Sequence, residues 1–176
     1  MKKLLVIAGL LPTAALAEPN ADLLLELWRS YAVAAETGAE KAIAERRAAL
    51  FAELDRCEGG MARPNCWDRT IAAEIFALAD EFGPSGSETG LGEIFPVECD
   101  GTPPGRVALL PVTPRLVVLQ IGGEAPIVMQ QLPDNEFRFE GEGPDGPVLF
   151  GWQGDYAALT LAGQEQRLCG VIVGDE

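Results

Sequence analysis

Histidine is missing from the chain, and with it the commonest general base and metal ligand. The groups left that could do chemistry are four cysteines, three serines and a large excess of carboxylates. Ser30 falls in a helical pattern, while Ser85 and Ser87 fall in a Gly/Ser-rich stretch, so no serine has a base to activate it. A Ser-His-Asp or Cys-His nucleophile is therefore excluded. Paired carboxylates suit glycoside hydrolysis, which needs two of them across a cleft. With 27 acidic residues in the chain, no pair stands out. Glu140 to Gly146, EGEGPDG, has the acids of a calcium loop but lacks the Asp-x-Asp-x-Asp-Gly spacing, and an acidic β-turn explains it better. The chain reads as a non-enzyme with no catalytic residue, no metal site and no cofactor.

The cysteines have a different use. In an oxidising compartment, four allow three pairings. Cys57 and Cys66 flank a Gly-Gly and Pro64, a local loop able to close on itself. That leaves Cys99 and Cys169, which sit in the first and the last of a run of predicted strands. Cys-x8-Cys without histidine fits zinc spacing poorly, so disulfides are the better reading.

The chain opens MKKLLVIAGLLPTAALA, with a basic Lys2-Lys3, an apolar Leu4 to Leu11 and a small-residue Ala15-Leu16-Ala17. This order predicts a signal peptide over residues 1–17, cleaved after Ala17, and export to the bacterial periplasm. No cysteine stands at the cleavage point to take a lipid, and no membrane anchor is expected. Loss of Lys2 and Lys3 takes the formal charge from −14 to −16. Such a chain repels nucleic-acid phosphates and anionic membranes, and it steers a basic protein toward itself.

The elements that must position any site fall into two halves. Residues 18–83 read as a helical domain of about three helices. Asn20 caps the first, with Leu24, Leu27, Trp28, Tyr31 and Ala35 inward, Glu26, Arg29 and Glu36 in water, and a stop at Thr37-Gly38. The second starts near Ala39 and turns Ile43, Arg47, Leu50, Phe51 and Leu54 inward. The third starts at Asn65 or Asp68, turns Ile71, Ile75, Phe76, Leu78 and Phe82 inward, and stops at Gly83-Pro84. Residues 84–93 are Gly/Ser-rich and read as a linker. From residue 94 to 176 the period changes to short Val, Leu, Ile and Phe runs punctuated by Gly and Pro. Eight strands are predicted: Ile94–Cys99, Arg106–Val112, Arg115–Ile121, Pro126–Leu132, Glu136–Glu140, Val148–Trp152, Asp155–Leu161 and Arg167–Val173. The fold class is α+β, a helical segment followed by an eight-stranded antiparallel barrel whose interior is filled by side chains. Leu116 to Ile121 is apolar on nearly both faces, which calls for a cover on its outer side, and the helices are the available cover.

Within the barrel half, several short motifs recur together: Glu98-Cys99-Asp100-Gly101, Gly122-Gly123, Arg138-Phe139, Trp152, Gly154-Asp155, Ala157-Ala158-Leu159 and finally Cys169. On these the segment resembles the bacterial periplasmic inhibitors of C-type lysozyme. The resemblance implies an eight-stranded antiparallel barrel bracketed by a cysteine near each end. It also implies two neighbouring loops that reach into the lysozyme cleft with a serine and a lysine. At the matching positions this chain has Asn135 and Gln153, with Glu136 for the family glycine and Phe139 for its tyrosine. Asn135, Glu136, Arg138, Phe139, Trp152 and Gln153 are thus the candidate partner-binding residues, and a basic protein such as C-type lysozyme is the implied partner. Gln153 carries no charge to meet a carboxylate, so inhibition is expected to be weakened or lost. The alternative is a cell-envelope interaction module in which the barrel is scaffold and the helices, with a Trp28 and Tyr31 stripe, bind something unrelated.

Overall fold

The computed structural model describes residues 20–58, 66–82, 93–110 and 115–172. The predicted signal peptide, and all of the predicted linker except Glu93, lie outside them. Three helices, α1 (Ala21–Glu36), α2 (Glu40–Glu58) and α3 (Cys66–Phe82), precede eight strands. These are β1 (Glu93–Cys99), β2 (Gly105–Leu110), β3 (Leu116–Ile121), β4 (Ile127–Leu132), β5 (Asn135–Gly143), β6 (Gly146–Gln153), β7 (Tyr156–Thr160) and β8 (Arg167–Val171). Each strand pairs antiparallel with the next, and β1 pairs with β8, so the sheet closes into a barrel. Both expected disulfides form, Cys57–Cys66 between α2 and α3 and Cys99–Cys169 across the β1–β8 seam.

The alternation of β3 decides how the two halves meet. Val117 and Leu119 point into the barrel with Val97, Val107, Met129, Phe150 and Leu159. Leu116 and Val118 point outward and join Ala108 and Leu110 of β2 in one core with all three helices. The helices therefore cover the outer wall of β2 and β3, as the two-faced strand demanded. The helical layer and the barrel share this core instead of standing apart. A polar strap crosses the same junction: Arg106 donates to Gln120 Oε1 at 2.8 Å and to Asp80 Oδ1 at 2.6 Å, with its guanidinium 4.2 Å from the Phe76 ring centre. Side chains crowd the barrel interior beside β5, where a Cβ at Gly141 would come within 2.6 Å of Met129 Cγ, while a cavity of about 490 Å³ opens at one end of the barrel between Ile121, Ile127, Val148 and Leu161.

Helices α1 and α2 both differ from expectation. Glu26, expected in water, is 1% exposed. The buried stripe of α1 is Leu23, Glu26, Leu27, Ser30, Tyr31 and Ala34, one position round from the predicted face. Leu23, Leu24 and Leu25 run consecutively, so apolar spacing alone fits either phase. Trp28 is 46% exposed as a result, and Ala35 and, on α2, Phe51 also face outward. Arg47, expected inside, stacks 4.6 Å over the Trp28 ring. Behind it, Arg46 grips Glu74 through Nε at 3.0 Å and Nη2 at 3.1 Å, and Tyr31 donates to Glu74 Oε1 at 2.9 Å. One carboxylate of α3 thus pins both other helices.

Candidate functional site

In an up-and-down barrel alternate hairpins lie at the same end. The β4–β5 turn at Pro133-Asp134 and the β6–β7 turn at Gly154-Asp155 are two such hairpins, separated only by the β5–β6 pair. Arg138 stands opposite Gly151, so Asn135 and Glu136 run on toward the end where Gln153 lies. The predicted residues on the two hairpins are thereby brought to one rim.

Local chemistry shapes that rim. Between Gln131, which faces Phe139, and Leu132, which faces Asn135, the β4–β5 register shifts. The displaced residues are held by side chains. Asn135 Oδ1 accepts the Phe137 N–H at 3.0 Å, and Gln131 Nε2 donates to the Glu136 carbonyl at 2.8 Å. Asn135 retains its amide nitrogen as a donor. On the second hairpin, Gly154 turns at φ 60°, a conformation that favours glycine, and Trp152 Nε1 donates to its carbonyl at 2.7 Å. A shallow groove of about 440 Å³ runs along the first hairpin, lined by Gln130, Gln131, Leu132, Pro133, Glu136 and Glu140.

The six candidates divide by strand parity. Glu136, Arg138 and Gln153 are exposed and Asn135 is half-buried. Phe139 is not at the surface: it is buried inside the barrel beside Phe150. Neighbours on a strand point to opposite faces, so outward Arg138 forces Phe139 inward. Trp152 is also on the inward parity and is half-buried, with its ring edge-on to Phe95 at 5.3 Å, where it plugs the rim end of the barrel. What remains is a surface of amides, one carboxylate and one guanidinium, able to form hydrogen bonds and ion pairs with a protein surface. Among the described residues no three carboxylates or thiolates converge to hold a metal ion.

The groups with displaced pKa values sit in the helical layer. Burial and the Glu74 carboxylate push the Tyr31 phenol far above its ordinary range, and the hydrogen bond to Glu74 raises Arg46. Burial raises Asp68, partly offset by the 2.9 Å hydrogen bond it accepts from the Asn20 N–H.

Two exposed aromatics near the rim escaped the sequence reading: Phe137, and Tyr156, which pairs with Gln153 across the second hairpin. The outward parity of Tyr156 after a tight Gly-Asp turn was the available signal.

Compared with known proteins, the chain matches no protein-family model, no curated protein and no solved structure.

Proposed function

We propose that the protein is a non-catalytic binding module of the bacterial periplasm whose barrel docks a basic protein, with C-type lysozyme the first partner to test. The observation that carries this reading is the placement of Asn135 and Gln153 on neighbouring hairpins at one end of a closed barrel tied by Cys99–Cys169. That is the arrangement the resemblance to lysozyme inhibitors implies. The formal charge of −14 supports steering of a basic partner. Two disulfides fit an oxidising compartment, and no described helix is long and apolar enough to cross a membrane.

Inhibition should be weak. Catalytic carboxylates of a lysozyme cleft would meet neutral Asn135 and Gln153 beside acidic Glu136. Gln153→Lys together with Asn135→Ser and Glu136→Gly restores the charged donor and removes the repulsion. A hydrogen bond to a charged group contributes about 1.5–3 kcal/mol, or roughly one to two decades in affinity. The test is lysis of a peptidoglycan suspension with native and triple-substituted protein side by side. Potent inhibition by the native protein refutes the weight given to Gln153, and no gain from the triple variant refutes the rim assignment.

A second reading has its own support. Leu25, Trp28 and Phe51 are half exposed on the helical layer, with Arg47 stacked on Trp28. Tyr31 of the expected Trp28 and Tyr31 stripe is buried, so it is Trp28 with Leu25 and Phe51 that favours the alternative in which the helices, not the rim, recognise an unrelated protein.

A further inference from the structure

The barrel wall away from the helices carries an apolar surface that the rim does not explain. Tyr156, Leu168 and Ile172 are 79%, 69% and 53% exposed. Strand register gathers them on one face. Gln153 pairs with Tyr156, Tyr156 with Gly170, and Gly170 with Glu98, giving a row across β6, β7, β8 and β1. The next outward row is Arg138, Gly151, Ala158 and Leu168. Ile172 closes the patch, donating its N–H to the Pro96 carbonyl at 3.0 Å.

The floor of this patch is bare backbone. Gly170 and Gly151 lie in mid-strand, and neither has a positive φ. A Cβ at Gly170 would meet nothing within 4 Å, and at Gly151 only carbonyl oxygens at 3.8 and 4.0 Å. Folding does not require glycine at either place, and strand glycine weakens a sheet. Close approach of another backbone from outside is what such a floor permits. The surround is acidic, with exposed Glu98, Glu140 and Asp155 against Arg138 on the same face and Arg167 beside Leu168.

We propose that this outer wall of β6, β7, β8 and β1 is a docking surface for a basic protein, which lays an extended segment of alternating cationic and aliphatic side chains across Gly151, Ala158 and Gly170. Leu168 and Tyr156 flank the segment, and the acids around it pair with its cations. The proposal shares the basic partner of the reading above but does not depend on that partner being a lysozyme. It commits to a basic partner over a second copy of this chain because two copies at −14 repel.

The probe is a hexapeptide of alternating lysine and leucine, titrated into isotope-labelled protein and followed by amide chemical shifts. Saturable shifts at Gly151, Ala158, Leu168 and Gly170 are expected, weakening as salt rises. Gly170→Val fills open space with a strand-favouring side chain, so it should raise the unfolding midpoint while lowering peptide affinity about tenfold. Leu168→Ser should lower affinity by a similar factor without altering the fold. Shifts confined to other surfaces, or native affinity in Gly170→Val, overturn the proposal. Lysozyme binding to the same variants separates the two readings. A mapped peptide with no lysozyme bound sinks the lysozyme partner alone, and lysozyme bound equally by all variants with no mapped peptide sinks the wall alone.

Discussion

Leu116 and Leu119 lie on one strand, three residues apart, and point in opposite directions. Leu116 packs into the core shared with the helices, and Leu119 into the barrel interior. Both are essentially inaccessible to solvent. Truncation to alanine removes three carbons from each, about 2.4 kcal/mol of transfer free energy at ~0.8 kcal/mol per methylene. The cavity left behind adds roughly 1 kcal/mol more, so each variant should lose about 3–4 kcal/mol. If helices and barrel form one cooperative unit, both substitutions must move every signal equally. The assay is urea unfolding read twice. Far-UV circular dichroism is dominated by the helices, and fluorescence from a Trp28→Phe, Trp67→Phe background leaves Trp152 as reporter of the barrel. Coincident midpoints in Leu116→Ala, shifted as far as in Leu119→Ala, are expected. A Leu116→Ala protein in which the helical signal melts early while the Trp152 transition stays in place would refute the shared core as an energetic unit.

Other expectations follow from contacts already described. Cys99–Cys169 spans 70 residues and Cys57–Cys66 spans 9, for which the chain-entropy model gives about 4.4 and about 2.6 kcal/mol, so Cys99→Ser paired with Cys169→Ser should be the more damaging change in thermal unfolding. Arg46→Met strips Glu74 of its bidentate partner and should cost about 2–3 kcal/mol, measured by urea midpoint. Asp68 has a folded-state pKa above its ordinary 3.8, so the folded chain holds a proton that the unfolded chain has released. Stability should therefore fall as pH rises through the window just above that value, and Asp68→Asn should flatten this slope in unfolding curves taken across the window.

The strand pattern of the barrel was legible because hydrophobic alternation and Gly/Pro punctuation coincide in nearly every hairpin. EGEGPDGP marked a turn but overstated its length. Gly143 pairs directly with Gly146, so only Pro144 and Asp145 turn and the flanking residues remain in β5 and β6. The covering of β3 was legible for the same reason, since Leu116 to Leu119 leaves no polar face for water. The face of α1 is ambiguous in sequence because three consecutive leucines satisfy two stripes, and because residue type alone puts the Glu26 carboxylate in solvent. Of the candidate site, the position of both hairpins follows from strand order. Phe139 beside Arg138, however, could not also face outward, which the two-residue period already forbade. The wall of Tyr156, Leu168 and Ile172 was invisible in sequence, because its members meet only through the registers of β7 with β8 and of β8 with β1.

The seam between β1 and β8 also sets the order in which the chain can fold as it is made. The helices emerge first, yet their apolar stripes have no cover until β2 and β3 follow. The barrel cannot close until its last strand, Arg167–Val171, reaches its first, with Cys169 arriving opposite Cys99. The helical core therefore waits for β3, and the closed barrel waits for nearly the whole chain, whereas the Cys57–Cys66 loop can form locally and early. A ribosome stalled before Arg167 would carry a chain with an unpaired β1 edge and a barrel still open at that seam. Such a chain would be held open for passage or for a chaperone, and folding would be deferred until synthesis was essentially complete.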